Sequence, residues 1–380
     1  MILFPTKIAT GISFCNRQLE LEILKKNADL CQHTIIYSPR RYGKSSLVYK
    51  VISDLDIPSA TIDFFLAHDE KIITKRLMEG ISSIISQLEK PSQKFFHFLQ
   101  ETMKNFKISM TYSGFTIESI ITNEGFDGVD QIFVALTLLD KLAKERNKKI
   151  LIFLDEFQDI SAAKNSKSIQ GAIRHVAQTT QNITFFFSGS YQHMLAELFD
   201  DKSKPLYMLC DKLYLKRILS NEYIIHFNKF AKQRWGQDLS TDVIHRILKL
   251  TEAHAFYVNI LCNKLFNSDI IPLYDDVSKA WELCYENESR RLISELENLS
   301  INQQDILRAV AMKSPINPQS AEFSIFSEKS TPTIRQCIKV LMEKDFIYKA
   351  THIDPYLDHI QLNQYRVLDP LLRYYLIKLS

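Results

Sequence analysis

Two spacings of hydrophobic residues alternate along the first half of the chain. Short, nearly continuous apolar runs are typical of strands buried on both faces of a parallel sheet. Apolar residues three and four positions apart are typical of amphipathic helices. The predicted strands are 34–37, 59–66, 149–154, 182–187 and 212–216, and helical spacing separates most of them. Strands that alternate with helices in this way predict an α/β fold with a parallel sheet.

The alternation is interrupted between residues 91 and 129. Strand-like segments on either side of Gly114 predict a β-hairpin, inserted into the sheet domain at about 91–129. Such a hairpin either binds a partner or extends the edge of a sheet, and the pattern favours the second interpretation.

The second half of the chain is mostly helical. Four helical segments between residues 220 and 299 predict a small all-α domain, or lid. Three helices followed by two short strands, between residues 300 and 380, have the order of a winged helix. The predicted domains are therefore 1–219, 220–299 and 300–380.

The third helix of the last domain, predicted at 331–344, is capped by Ser330 or Thr331 and carries basic residues. These are Arg335, Lys339 and Lys344. In a helix-turn-helix protein this helix enters the major groove of DNA. Neighbouring acidic residues dilute the charge, so packing against protein is the other interpretation and is slightly favoured.

Composition narrows the class of protein without naming a partner. The chain has 380 residues, a net charge of +3, and 46% hydrophobic and 24% charged residues, as in ordinary globular proteins. Six scattered cysteines form no Cys-x-x-Cys pair, which is typical of a reducing compartment, and we expect a cytoplasmic protein. The N-terminus lacks the pattern of a signal peptide, and no apolar run is long enough for a membrane helix.

The stretch Ser38-Pro39-Arg40-Arg41-Tyr42-Gly43-Lys44-Ser45 carries the clearest chemical signal. It follows a predicted strand and opens a predicted helix, which is the context of a phosphate-binding P-loop. Backbone N–H groups would face an anion, Lys44 would neutralise the β- and γ-phosphates, and Ser45 would ligate Mg²⁺. The candidate nucleotide-binding residues here are Pro39, Arg40, Arg41, Tyr42, Gly43, Lys44, Ser45 and Ser46. Ser38 stands where the usual pattern has glycine.

Acidic and hydroxyl side chains end two of the predicted buried strands. Asp155 and Glu156 follow the strand 149–154, about 110 residues after Lys44, a spacing common for a Walker B segment. Open α/β sheets place ligands at this edge. We expect Asp155 to hold Mg²⁺ through water and Glu156 to polarise the attacking water. Ser188, with Ser190 in reserve, ends the next strand and is the candidate sensor of the γ-phosphate; a simple Ser-Gly-Ser turn is the alternative.

These residues together resemble the archaeal-type ATPases, a clade of the STAND branch of AAA-related P-loop NTPases. The likeness rests on Pro39-Arg40-Arg41 before Gly43-Lys44 and on Asp155-Glu156-Phe157-Gln158. Phe14-Cys15-Asn16-Arg17 with Glu20 is similar to an N-terminal box that lies against the adenine in relatives. Glu252-Ala253-His254 resembles a Gly-Gly-His box in the lid, with both glycines replaced here.

The resemblance implies a five-stranded core, a helical lid and a winged helix, with ATP or ADP and Mg²⁺ bound beneath the lid. It implies that Phe14, Arg17 and His254 also contact the nucleotide. From its own surroundings His254 is better explained as a surface or capping histidine. Arg40, Arg41 and Arg217 are the arginines that could act in trans on a neighbour's phosphates.

The predicted function is Mg-dependent ATP binding with slow hydrolysis that drives a conformational switch. Lys44, Glu156 and Ser188 are the predicted catalytic residues, and Ser45 and Asp155 the predicted metal ligands. Two alternatives remain open. One is a DNA-binding winged-helix module with a structural nucleotide, and the other is a scaffold that assembles with itself or a protein partner when ATP binds.

Overall fold

The computed structural model describes residues 2–88, 128–351, 354–357 and 359–379, and the backbone of 106–111 and 114–119. By backbone contacts the chain divides into two compact units. The sheet unit comprises Arg17–Arg40 and Lys44–Leu215, and the helical unit comprises Met1–Asn16, Arg41–Gly43 and Lys216–Ser380. None of the described helices is long and apolar enough to span a membrane. The three predicted domains and their boundaries stay predictions.

The sheet unit alternates strands and helices. Its elements are α1 Gln18–Asp29, β1 Thr34–Tyr37, α2 Lys44–Leu55, β2 Ser59–Asp63, α3 Glu70–Leu88, β3 Phe106–Thr111, β4 Gly114–Ser119, α4 Gly128–Glu145, β5 Ile150–Asp155, α5 Ser166–Thr179, β6 Ile183–Gly189, α6 Gln192–Asp200 and β7 Asp211–Tyr214. Five of the strands form one sheet in the order β2-β5-β6-β1-β7, and every neighbouring pair in it is parallel. The predicted α/β fold with a parallel five-stranded sheet is confirmed.

The two strands richest in apolar residues lie side by side in the middle of this sheet. Every residue of β6 is buried, and in β5 only the last one is not. Continuous apolar runs suit this position because helices cover both faces of a parallel sheet. The sheet order sets β6 between β5 and β1. The carboxyl ends of β5, β6 and β1 therefore meet at one edge, where the predicted site residues are.

The hairpin strands β3 and β4 pair antiparallel, from Phe106 opposite Ser119 to Thr111 opposite Gly114. Among the described strands they form a two-stranded sheet of their own, so the prediction that the hairpin extends the edge of a sheet is wrong. They lie within the predicted insertion at about 91–129, and β4 runs beside α3. The stretches 89–105, 112–113 and 120–127 of the chain lie outside the described residues.

The described part of the helical unit has eight further α-helices and two strands. They are α7 Ser220–Trp235, α8 Thr241–Thr251, α9 Ala255–Phe266, α10 Tyr274–Glu297, α11 Ile301–Lys313, α12 Ala321–Ser327, α13 Thr331–Glu343, β8 Ile347–Lys349, β9 Tyr365–Val367 and α14 Pro370–Lys378. β8 and β9 pair antiparallel. One hydrophobic core runs through the unit from Phe4 to Leu376. The predicted order of three helices followed by two strands is present.

Serine hydroxyls fix where several of these helices begin. The hydroxyls of Ser240, Ser300, Ser320 and Ser330 accept a hydrogen bond from a backbone N–H of the first turn. At α13 the sequence left Ser330 and Thr331 open as the cap, and the structure selects Ser330. Pro332 then occupies the first turn, where its missing N–H costs nothing.

Candidate functional site

The P-loop connects β1 to α2, as predicted. Lys44 is the first residue of α2 and is buried. Gly43 has a φ of 92°, a backbone conformation that favours glycine. Ser38, which replaces the first glycine of the usual pattern, does not have a positive φ, so its Cβ is tolerated. Its buried hydroxyl donates to the Pro39 carbonyl at 2.9 Å.

Asp155, the last residue of β5, gathers hydroxyl groups from two other elements. Ser45 Oγ donates to Asp155 Oδ2 at 2.9 Å, and Ser188 Oγ donates to Oδ1. The backbone N–H of Glu156 also donates to Oδ1, at 3.0 Å. The structure thus brings the two predicted metal ligands, Ser45 and Asp155, into direct contact.

Glu156 is held by donors on both of its carboxylate oxygens. Gln158 Nε2 and the backbone N–H of Ser190 donate to Oε2 at 2.8 and 3.0 Å, and Ser190 Oγ donates to Oε1. Burial on its own would raise the pKa of Glu156. The hydrogen bond from the Ser190 hydroxyl, the charge of Lys44 and the hydrogen bond from Gln158 outweigh burial and lower that pKa. The carboxylate is therefore ionised at neutral pH.

The two candidate serines at the end of β6 each donate a hydrogen bond to a different carboxylate. Ser188 donates to Asp155, and Ser190 donates to Glu156. Both serines are buried. The Ser-Gly-Ser segment is therefore part of the polar cluster at the carboxyl edge of the sheet and not only a turn.

Two residues of this cluster were not assigned a role from the sequence. Gln158 is 1% exposed and contacts Glu156, and Gly189 provides the space that its amide occupies. The signal in the sequence was indirect. Gln158 stands two positions after Glu156, and Gly189 is one of only nine glycines in the chain.

The remaining predicted contacts of the sheet unit lie near the loop or on α1. Arg40 is exposed, with its guanidinium 5.0 Å from the centre of the Tyr191 ring. Arg17 is buried at the N-cap position of α1, with a φ of 72°, and Nη1 pairs with Glu20 Oε1 at 3.1 Å. Pro39, Ser46 and Phe14 are partly buried, the last in the helical unit.

Residues 41–43 of the P-loop belong to the helical unit, where the side chains of Arg41 and Tyr42 contact residues at the start of α9. The buried Tyr42 ring meets the edge of His254 with centroids 4.9 Å apart. The Arg41 guanidinium lies 4.1 Å from the centre of the Phe256 ring. Tyr42 Oη accepts a hydrogen bond from Arg217 Nε at 3.2 Å.

His254 is neither a surface residue nor a side-chain cap, so the alternative drawn from the sequence is wrong. It is 3% exposed, and although it precedes α9 its side chain makes no capping hydrogen bond. Burial holds the pKa of His254 well below its ordinary value, and the charges of Arg217 and Arg41 lower it further. The ring is therefore neutral, and its Nδ1 has no hydrogen-bond partner among the described residues.

Glu252 is the centre of a buried ionic cluster in the helical unit. Arg366 Nη2 lies 2.5 Å from Oε1, Arg217 Nη1 lies 2.9 Å from Oε2, and Arg373 Nη1 lies 3.8 Å from Oε1. Burial alone would raise the pKa of this carboxyl. The three arginines, Arg366 first, lower it to about 2. Glu252 and Ala253, which stand where the resemblance has glycines, both keep positive φ angles of 47° and 53°.

Arg217 is committed to this cluster and is not available to a neighbouring molecule as the sequence allowed. It donates to the Glu252 side chain and carbonyl and to the Leu368 carbonyl, and its guanidinium lies over the Tyr348 ring. Of the three arginines considered, Arg40 and Arg41 are the exposed ones.

With this geometry in place, the comparison with protein families is decisive. Residues 14–261 match the model of an ATPase domain found predominantly in Archaea. The chain belongs to this family. Membership in the archaeal ATPase family makes the chain an ATP-binding protein and an ATP hydrolase.

Solved structures show the same fold for this ATPase over its whole length. The Walker-type ATPase PABY2304 of Pyrococcus abyssi superposes with a TM-score of 0.69 at 16% identity, covering 99% of both chains. The ORC2 protein of Aeropyrum pernix, solved as ADPNP–ADP complexes, superposes with a TM-score of 0.58 at 17% identity, covering 99% of this chain and 95% of that one. A comparison with curated proteins found no match.

Proposed function

We propose that this ATPase binds Mg-ATP at the P-loop and uses slow hydrolysis to drive a conformational switch. The observation that carries the proposal is the 2.9 Å contact between Ser45 Oγ and Asp155 Oδ2. A hydroxyl from the start of a P-loop helix and a carboxylate from a neighbouring strand end are the protein ligands that Mg²⁺ has in P-loop NTPases. Bound there, the ion would neutralise charge on the β- and γ-phosphates.

The other residues divide the work by position. Lys44 opens α2 and its charge acts on Glu156, so it stands where phosphate oxygens meet the helix N-terminus. Glu156, ionised and held by fixed donors, orients and polarises the attacking water. Ser188 senses the γ-phosphate, and its contact with Asp155 connects it to the metal site. Catalysis of this kind is positioning and electrostatic stabilisation.

Within the archaeal ATPases we place the chain in the STAND branch of AAA-related proteins. The Pro39-Arg40-Arg41 segment supports this placement, together with the contacts of Tyr42 and Arg41 with His254 and Phe256. Both contacts lie within the helical unit. Phe14 and Arg17 are the proposed adenine-side residues. In this proposal the switch operates in the cytoplasm.

Substitution of Glu156 by Gln tests the proposal. Glu156→Gln keeps the size of the side chain and removes its charge, so we expect ATP to stay bound while phosphate release stops. Retained nucleotide is measured after gel filtration, and phosphate release by a continuous assay. Glu145→Gln, on an exposed site at the end of α4, is the matched control and should hydrolyse ATP normally. Unchanged turnover in Glu156→Gln would defeat the assignment.

A second candidate function is DNA binding by the winged-helix domain. Gln319, Thr331, Pro332, Arg335, Gln336 and Lys339 line a groove of about 550 Å³ along α13. Arg335 and Lys339 are exposed on it, but Lys339 pairs with Glu343 at 3.8 Å and Lys344 donates to the Asn298 carbonyl. We expect Arg335→Ala with Lys339→Ala to reduce the salt dependence of DNA binding. An absence of binding at low salt would remove this function.

A third candidate is a scaffold whose assembly follows the nucleotide. Comparing the mass of the protein in solution with ADP and with a non-hydrolysable ATP analogue tests it directly. An equal mass in both states would exclude nucleotide-dependent self-assembly.

A further inference from the structure

The Gln158 side chain is fixed between two carboxylates. Its Nε2 donates to Glu156 Oε2 at 2.8 Å and to Asp159 Oδ1 at 2.9 Å, so both amide hydrogens are used. Asp159 is itself anchored, because its Oδ2 accepts from the Leu66 N–H at 2.9 Å. The amide group therefore has one orientation, with its nitrogen facing the two acids.

Gly189 provides the space for this amide. A Cβ at Gly189 would lie 1.8 Å from Gln158 Oε1 and 2.9 Å from its Cδ. The φ of Gly189 is not in the left-handed region, so glycine is needed here for space and not for backbone conformation. Any side chain at this position would clash with the Gln158 amide in the orientation that it has here. Gln158 Oε1 has no hydrogen-bond partner among the described residues. The position of this oxygen therefore depends on the space that Gly189 leaves for it.

Ser190 completes the set by holding the other side of the carboxylate. Its N–H and hydroxyl contact Oε2 and Oε1 of Glu156, while Gln158 adds a second donor to Oε2. Glu156 itself has a φ of 49°, in the left-handed region, and this backbone conformation sets the direction in which its side chain leaves the chain. Three hydrogen bonds from protein groups thus determine the orientation of the carboxylate.

We infer that Gln158 is a positioning residue for Glu156, seated by Gly189. The inference rests on the proposed role of Glu156 and extends it. A carboxylate that polarises water must point at one place, and small displacements of such a group lower the rate steeply. Gln158 restricts the rotation of the Glu156 carboxylate, and both of its amide hydrogens are used by Glu156 and Asp159. We therefore expect its loss to affect turnover and not nucleotide binding.

Two substitutions test the inference from different sides. Gln158→Met keeps the length and loses both donors, and Gly189→Ala displaces the amide without changing Gln158. For each variant we expect the dissociation constant for Mg-ATP to stay within about twofold, while kcat falls between about 10-fold and 100-fold. Calorimetry gives the first quantity and steady-state phosphate release the second.

The comparison of kcat with nucleotide binding separates positioning from general damage. A variant that is merely misfolded loses binding sites in calorimetry in proportion to its loss of turnover, whereas a variant that has lost positioning has a lower kcat for each site that binds Mg-ATP. If Gln158→Met does not fold, Gln158→Glu, which keeps the length of the side chain and removes both N–H donors, should lower kcat for each binding site in the same way.

Matched controls come from the same unit. Gln170 is also buried, with its Nε2 donating to Ser166 and its Oε1 lacking a partner among the described residues. A Cβ added at Gly171 would meet no described atom within 4 Å beyond its chain neighbours and the backbone of its own helix. Gln170→Met and Gly171→Ala should leave kcat and the dissociation constant for Mg-ATP unchanged. A normal kcat in Gln158→Met or in Gly189→Ala would overturn the inference. Failure of the proposed function is distinct, because it would appear as normal turnover in Glu156→Gln.

Discussion

Replacing Glu252 by Gln removes the only carboxylate that the three arginines Arg217, Arg366 and Arg373 share in the described ionic cluster. The carboxyl is 1% exposed, and its pKa falls from an ordinary 4.5 to about 2 in the fold. At 1.36 kcal/mol for each unit of pKa, the anion is stabilised by about 3 kcal/mol in the folded state relative to the unfolded chain. Breaking a buried ion pair from one side costs a similar amount, about 3–5 kcal/mol, because the cations stay buried without their partner.

The sign of the pH dependence follows from the direction of that pKa. Since the folded pKa lies below the unfolded one, the stabilisation is complete above about pH 5 and is lost as the pH falls from 4.5 towards 2. Glu252→Gln should therefore lose about 3 kcal/mol at pH 7 and should show a flatter acid dependence than the parent protein.

Tryptophan fluorescence reports on the unit that contains the cluster. The chain has two tryptophans, Trp235 and Trp281, and both lie in the helical unit. Urea unfolding followed by their emission, at pH values from 7 to 3, gives the free energy of unfolding of that unit. Glu282→Gln is the matched control, because the Glu282–Lys378 pair is partly exposed and should contribute less than about 1 kcal/mol. Equal losses for the two variants at pH 7 would refute the reasoning.

Three further predictions concern packing, binding and pH. Gly80→Ala would put a Cβ 2.5 Å from the buried Ile62 side chain and should cost about 1–3 kcal/mol in unfolding experiments, whereas Gly171→Ala, in open space, should not destabilise. Lys44→Ala should abolish the heat of Mg-ATP binding in calorimetry, and a retained isotherm would contradict the P-loop role of Lys44. Burial lowers the pKa of His226 from 6.5 to about 4, so the fold should lose stability as the pH falls through that window; His226→Phe should reduce the loss, and an unchanged pH dependence would count against it.

The sequence was sufficient for the sheet because its signals are local. Continuous apolar runs marked β5 and β6, and the polar residues that follow them lie at the carboxyl edge by the geometry of parallel strands. The pairing of Ser45 with Asp155 followed from the same rule. In the helical unit the four serine caps are likewise local signals, which is why the beginning of α13 could be predicted to within one residue.

The parts that were missed depend on which side chains meet in three dimensions. The sequence spacing of Gln158 and Gly189 does not show that they meet. Gly189 lies on β6, and because it has no Cβ it leaves room for the amide of Gln158, which follows β5. The sequence allowed Arg217 to act on the phosphates of a neighbouring molecule, because its partner Glu252 is distant in sequence and could not be recognised. His254 was misjudged for the same reason, since its burial comes from contacts with Tyr42 and the cluster and not from the helix it precedes.

The convergence of three guanidinium groups on Glu252 restricts the order in which substitutions can accumulate there. If the acid is lost first, as many as three cations are stranded away from water; if an arginine is lost first, the acid still has two neighbours of opposite charge. A route from this arrangement to an apolar interior must therefore begin with the arginines and end with the acid. Homologues that lack the glutamate should accordingly also lack most of its basic partners, and a homologue that keeps all three without it would show that another anion has taken its place.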